Sequence, residues 1–320
     1  MVTEGPILLW EGTEPVAEWV SISLAGTYWK LTVHASVWLV HGLRGDAIKT
    51  WSKGDVCWPR DLLPQEISNI RVFSWGYDSD VANWSGSVSQ ASIFGHGENL
   101  LRDIASKRVA DHEKRALIFV GHSLGGLVIK QALIRSSQYF HNKENERLGI
   151  IYQQTEALLF LGTPHRGSDK TDLAQMVANI AKISLRKPNN KLIRTISRES
   201  DVLEQQRQAF ASISNNMRIA CFYEEMPTSF RRFMKVDLGV IVPEYSASID
   251  GFSIERIGVR ADHFAMCKFS TSSELGFQRI IDRLREYVHL VEENIAAALA
   301  QRQLEETALA EEKERGMLNA

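Results

Sequence analysis

The sequence predicts an α/β architecture: a mostly parallel sheet with helices on both faces and a helical cap inserted between two of its strands. Three observations support this reading. Six short apolar runs recur along the chain, and continuous apolarity over so few residues suits strands covered on both faces. Helical patterns separate the runs, as right-handed crossovers between parallel neighbours require. The 320 residues are 44% apolar and 24% charged, enough for one large core or two modest ones, and unlike a disordered, collagenous or coiled-coil chain.

The first strand is expected at Val37 to Val40 and the second at Ile70 to Ser74. A helix follows near Gly97 to Val109, with Leu100, Leu101, Ile104 and Ala105 at helical spacing. Leu117 to Val120 forms the third strand, and the helix Leu124 to Ser136 leaves it. Ala157 to Leu161, Arg218 to Phe222 and Ile254 to Val259 complete the set. Between the fourth and fifth strands the stretch from Arg166 to Asn216 is too long for a plain crossover. It holds two helical patterns, Asp172 to Leu185 and Lys191 to Ser214, and is expected to form the cap. Within it, Lys182, Arg186, Lys187, Lys191, Arg194 and Arg198 occur without an acid, which reads as a solvated helix face ahead of contact with anionic lipid.

From Gly276 the chain reads as one long helix, with Ile280, Ile281, Leu284, Tyr287, Val288, Val291 and Ile295 on an apolar stripe that ends near Ala298. Gln301 to Arg315 is rich in Glu, with only Leu304 and Leu309 as large apolar residues. The expected division is therefore a catalytic domain over 1–290, its cap at about 166–216, and an extended helical tail over 291–320. That tail is either a frayed end or a contact for a partner or a second copy of the chain. All eight tryptophans fall between Trp10 and Trp84, which favours core packing over the lining of an acyl pocket.

Lys and Arg number 37 against 39 Asp and Glu, a net charge of -2, so neither nucleic acid nor an anionic membrane is favoured as a partner. Cys57, Cys221 and Cys267 are odd in number and widely spaced, which argues against a disulfide scaffold and a zinc site and for a reducing compartment. No cofactor or metal is expected. Met1 to Trp10 lacks a basic segment followed by an apolar one, and no apolar run approaches ~18 residues. The expectation is an intracellular, cytoplasmic protein, with peripheral contact to a mitochondrial or endoplasmic-reticulum membrane left open. No G-x-x-x-x-G-K-[ST] loop occurs, so no nucleotide hydrolysis is inferred.

The sharpest motif is Gly121-His122-Ser123-Leu124-Gly125-Gly126, directly after the apolar run Ala116 to Val120 and directly before Leu127 to Ile134. G-x-S-x-G at a strand-to-helix turn holds its serine in a strained backbone conformation that the flanking glycines permit, presenting Oγ above the sheet. Ser123 is the candidate nucleophile of such an elbow. His122 is expected to point off the other side of the turn and to be structural. A serine hydroxyl needs a base within hydrogen-bond reach. In the chain order of an α/β-hydrolase the histidine follows the acid and lies beyond the last strand, where Arg260-Ala261-Asp262-His263 stands. His263 is the candidate base. His165 also follows a strand but precedes any acid, and reads as a turn residue.

The oxyanion needs two backbone N–H donors. Leu124, after the nucleophile, supplies one; Leu43 or Arg44, in His41-Gly42-Leu43-Arg44-Gly45 at the end of an early strand, supplies the other. The acid must come from Glu224, Glu225, Asp237, Glu244 or Asp250. It usually ends the strand after the insertion, and Arg218 to Phe222 delivers Glu224 there. Asp237, just before Gly239-Val240-Ile241-Val242, is the runner-up, its alternative role being to cap a turn.

His41-Gly42-Leu43, Trp75-Gly76-Tyr77-Asp78, Gly121 to Gly126, Thr163-Pro164-His165-Arg166-Gly167, Phe222-Tyr223-Glu224, Val242-Pro243 with Ser246-Ala247, and Asp262-His263 with Cys267-Lys268 together resemble the serine-active-site and GPI inositol-deacylase-like lipases. Similar domains stand at the N-terminus of fungal NACHT receptors and ankyrin-repeat proteins. The resemblance spans about Ala35 to Val288. It implies an α/β-hydrolase fold and a serine enzyme that cleaves lipid or other carboxylic esters through an acyl-enzyme, with no cofactor. It also implies the alternative of an effector module with weak or lost catalysis, its C-terminal helix docking a partner. Phe222-Tyr223-Glu224 fits the family's acid, whereas Asp237 resembles the D-x-x-V acid of some bacterial lipases. This chain departs from the family in lacking transmembrane helices and in stopping where the receptors continue into a nucleotide-binding domain.

Overall fold

Among the described residues seven strands build one sheet: β1 (Gly5–Trp10), β2 (Ser36–Val40), β3 (Arg71–Gly76), β4 (Leu117–His122), β5 (Thr155–Leu161), β6 (Arg218–Glu224) and β7 (Ile254–Val259). Their order is β1-β3-β2-β4-β5-β6-β7. Every neighbouring pair is parallel except β1, which runs antiparallel along β3. This computed structural model describes residues 4–12, 35–79, 89–108, 115–165, 179, 204–230, 236–249 and 254–318.

Successive residues of a strand face opposite sides, so the apolar runs feed two cores. Leu39, Val72, Ile118, Val120, Leu159 and Phe222 look one way, toward Phe277, Ile280, Leu284 and Val288 of helix α4 (Leu275–Leu318). Trp38, Val40, Phe73, Phe119 and Phe160 look the other way, toward helices α1 (Ser89–Lys107) and α2 (Leu124–Tyr139). Covering both faces is what allows strands with no polar alternation. Trp38, Trp51, Trp58 and Trp75 are all fully buried here, with Trp38 stacked on Phe73 at 4.4 Å and Trp51 edge-on to Trp58. Core packing accounts for these four; Trp19, Trp29 and Trp84 lie outside the described residues.

Three elements differ from expectation. Strand β1 carries no sequence signal because it is an edge strand, half-exposed and interrupted by Pro6, and a proline is tolerated only where a strand edge needs no further donor. Helix α1 starts two turns before Gly97, and α3 (Glu146–Gln153) is an additional short helix before β5. The expected cap lies outside the described residues over 166–203, apart from Asn179. Both the pattern Asp172 to Leu185 and the basic stretch Lys182 to Arg198 fall there. The helical stretch 204–213 that follows packs against α2 and β5. Gln206 Nε2 donates to Leu127 O at 3.1 Å and to Gln131 Oε1 at 3.2 Å, and Phe210 meets Phe160 edge-on. That end of the insertion is a crossover helix on the sheet face.

Beneath Phe210 sits a buried cation. Lys130 is 2% exposed, with Nζ 4.9 and 5.6 Å from the ring centroids of Phe210 and Phe160. Ring contacts return ~2 kcal/mol, less than the several kcal/mol that desolvating an ammonium costs, and burial brings its pKa down to about 7. Unfolded lysine titrates near 10.4, so the penalty is complete below pH 7 and is relieved as pH rises from 7 toward 10. Lys130→Met should therefore raise the melting temperature by ~3 °C or more at pH 7, by a margin that shrinks on going to pH 10. A lower melting temperature for the variant at pH 7 would show that the ring contacts outweigh the cost of burying the ammonium.

Helix α4 is a single unbroken helix of 44 residues, and among its described side chains those that join the core lie in the first half. Phe277, Ile280, Ile281, Leu284, Tyr287, Val288 and Val291 are buried, each contributing about 1.5–3 kcal/mol. The buried stripe ends at Val291, not near Ala298. Ile295 lies outside the core clusters and Leu304 is 73% exposed. Residues 292–318 thus extend roughly 40 Å of helix away from the sheet. Truncation after Ala298 should leave the melting transition and active-site labelling unchanged, whereas truncation before Phe277 should prevent folding. An insoluble product from the first truncation would place the distal helix in the fold or in an assembly.

Candidate active site

Strand β4 stops at His122 and α2 begins at Leu124, so one residue makes the whole turn. Ser123 has φ 54° and ψ -127°, a left-handed conformation that a residue with a Cβ adopts only under the pull of its surroundings. Its N–H donates to Leu161 O at 2.9 Å, and its carbonyl accepts from Gly126 N at 3.2 Å. Gly125 lets the start of α2 press on the end of β2, since a Cβ there would collide with the carbonyl oxygens of Val40 and His41. At Gly42 a Cβ would stand 2.6 Å from the Ser123 Cβ. The close approach of β2 to the elbow therefore depends on glycine from both sides.

In the turn after β2 the N–H groups of Leu43 and Arg44 differ in what they meet. Arg44, itself at φ 56°, donates its N–H to Ser79 O, and Gly45 N donates to Gly42 O, both at 2.9 Å. The Leu43 N–H has no acceptor among the described residues, and Leu124 N–H belongs to the unpaired first turn of α2. His41 pins this turn. Its Nδ1 donates to Gly42 O at 2.9 Å, its Nε2 accepts from Tyr77 N at 3.2 Å, and Tyr77 Oη donates to His41 O at 3.0 Å. Burial holds the His41 ring down to about 4, which keeps the accepting nitrogen unprotonated at neutral pH.

His263 lies four residues beyond β7 and Glu224 ends β6, so adjacent parallel strands deliver the two side chains side by side. His263 Nδ1 is 3.7 Å from Glu224 Oε2, and both side chains are fully buried. Glu224 Oε1 accepts from Val242 N at 2.6 Å. Burial pushes Glu224 up to about 8, against the pull of the Val242 and Ile241 N–H groups, and drives His263 well below its ordinary value. Ser123 Oγ, both ring nitrogens of His263 and Glu224 Oε2 are buried without a hydrogen-bond partner. Unsatisfied buried polar atoms are scarce in folded proteins, and catalytic hydrogen bonds commonly tighten only when substrate is bound.

No other candidate carboxylate among the described residues pairs with His263. Asp237 lies on the two-residue strand Val236–Asp237, paired with Ser229–Phe230, and its side chain is outside the described residues. Glu225 and Glu244 face solvent, and Asp250 is outside the described residues. His165 packs edge-on against Phe160 with Nε2 3.6 Å from Cys221 Sγ. His122 corrects the expectation that it points away: its Nε2 reaches the His263 carbonyl at 2.9 Å. Thr228, which sequence reasoning did not single out, approaches the His263 N–H with Oγ1 at 3.4 Å. Among the described residues no group of three His, Cys, Asp or Glu could hold a metal ion, and no helix is long and apolar enough to cross a membrane.

No family model matches the chain. It is 26% identical to Protein SERAC1 of Bos taurus and to that of Homo sapiens, in each case over 275 residues, 79% of this chain and 39% of the relative. The chain thus spans about two fifths of the length of the curated relatives it matches. Among solved structures it is similar to the Bacillus licheniformis lipase BlEst2, with TM-score 0.47 and 18% identity over 77% of this chain and 91% of that one. It is also similar to a lipase-esterase related protein from Clostridium acetobutylicum, with TM-score 0.41 and 12% identity over 79% and 94%. The strand order, the antiparallel edge, the serine turn after β4, and Glu224 at the end of β6 beside His263 in the loop after β7 give this chain the α/β-hydrolase fold.

Proposed function

We propose that the chain is a serine ester hydrolase in which Ser123 is the nucleophile, His263 the base and Glu224 the acid. The observation that carries this is that three buried side chains stand at strand ends of one sheet, with two of them, Glu224 and His263, 3.7 Å apart. One of them stands on a strained turn, and none of their reactive atoms is otherwise engaged. His263 Nε2 takes the Oγ proton as Oγ attacks the ester carbonyl, and the N–H groups of Leu124 and Leu43 receive the oxyanion. The same proton then passes to the departing alkoxide. Water repeats the sequence on the acyl-enzyme to release the acid. Glu224, accepting from Nδ1–H, selects the tautomer that leaves Nε2 free. The resemblance of the motifs to lipases supports lipid or other carboxylic esters as substrates. Met226, Val240 and Tyr245, exposed on the loops beside Glu224, offer apolar surface for an acyl chain.

A fluorophosphonate probe on the purified protein tests the reading directly, followed by acyl p-nitrophenyl esters of graded chain length and by phospholipids. Stoichiometric labelling at Ser123 with turnover of at least one ester class is expected. The exposed half of α4 favours a second reading, an interaction module with the hydrolase fold. Absence of labelling on a folded protein would select it.

A further inference from the structure

His122 is a buried ring to which the reaction above gives no duty. Its Nε2 donates to the main-chain carbonyl of His263 at 2.9 Å, across 141 positions of sequence. On the other side of the same residue, the His263 N–H faces Thr228 Oγ1 at 3.4 Å. The main chain of the base is therefore gripped on both sides of its Cα, by a side chain from the elbow and by one from the loop that follows the acid. A carbonyl oxygen only accepts, so His122 carries its proton on Nε2. The ring has little freedom to leave that arrangement. Trp51 stands edge-on to it at 6.5 Å, and the His263 ring lies at 5.0 Å, tilted by 42°.

We propose that His122 is a positioning residue for the ester hydrolysis assigned above, on which reading it rests, and that its Nε2–H sets where His263 stands over Ser123. The coupling is short and stiff. His122 is the last residue of β4 and is followed at once by the strained serine, so any shift in the elbow is passed to the base through one hydrogen bond. The arrangement also requires a neutral ring, because a second cation 5.0 Å away would oppose the imidazolium that forms as Ser123 attacks. Burial supplies this by holding His122 down to about 4.

Positioning and mere packing differ in what they predict. A base displaced by a fraction of an ångström disturbs the transition state more than substrate binding, so kcat falls while KM stays. The test uses the full chain. His122→Phe keeps a ring of similar size without a donor, and His122→Gln keeps a donor of comparable reach. The expected result is a kcat lower by on the order of 10²-fold in His122→Phe with KM changed by less than about twofold. His122→Gln, at a matched melting temperature, should recover about tenfold of that loss. If His122→Phe does not fold, His122→Met takes its place as the variant lacking a donor. A kcat within about threefold of wild type in that variant, or equal losses in the Gln and donorless variants, would overturn the assignment. A wild-type protein that neither takes the probe nor hydrolyses any ester brings down the serine-hydrolase reading itself, and this inference with it.

Discussion

Ser123→Ala should abolish fluorophosphonate labelling and lower ester turnover by about 10⁴-fold or more, with a melting temperature within ~2 °C of wild type. The two halves of this expectation have separate causes. Oγ is buried but makes no hydrogen bond, so its removal orphans no partner. Alanine inherits the left-handed backbone of Ser123 with the same Cβ, so the strain is unchanged. The proposed chemistry, in contrast, loses the atom that would take the acyl group. Retained labelling in Ser123→Ala would place the nucleophile elsewhere. A large fall in melting temperature would mean that the hydroxyl has a structural bond in solution.

Glu224→Gln is the second large effect, expected at about 10³–10⁴-fold in kcat, with Asp237→Asn costing far less. An amide nitrogen next to His263 Nδ1 cannot accept its proton, so the imidazole is left in the wrong tautomer. The pH profile should carry the same signature. Burial raises Glu224 to about 8 and lowers His263, so the pair loses its shared proton above the ordinary imidazole value of 6.5. The acid limb of kcat/KM should then lie between 6.5 and 8, an apparent value that belongs to the pair. Stability should move in the opposite direction. A carboxyl raised in the folded state from an unfolded value near 4.3 binds more protons folded than unfolded. Its contribution therefore falls as pH rises from about 4.3 toward 8. Removing the charge with Gln should raise the melting temperature at pH 8 while the rate collapses. Matched measurements in which Asp237→Asn loses the rate and Glu224→Gln keeps it would transfer the role to Asp237.

The strands β2 to β7 and the elbow were legible in the sequence because each is a local pattern. A short apolar run, or such a run followed by a glycine-serine turn, means the same thing wherever it stands. Strand β1 was not, because Gly5–Trp10 is half-exposed and pairs on one side only, and without burial on two faces a strand leaves little pattern. The end of the apolar stripe in α4 was misplaced by nearly two turns. Periodicity continues through Ile295, whereas the sheet it covers ends beneath Val291.

By itself the sequence determined the glycine-serine turn after β4, the parallel α/β class and a short list of candidate histidines and carboxylates, since these depend on residue type and on order along the chain. Only the tertiary structure placed Glu224 beside His263, engaged the Arg44 N–H with Ser79 O, and turned His122 toward the His263 carbonyl. Each of those is a contact between segments some 35 to 141 residues apart. The physical reason is that a hydrogen bond or ion pair is set by distances of a few tenths of an ångström. Such distances follow from how β2, β4, β6 and β7 register against one another in the sheet, and no local stretch of sequence encodes that register.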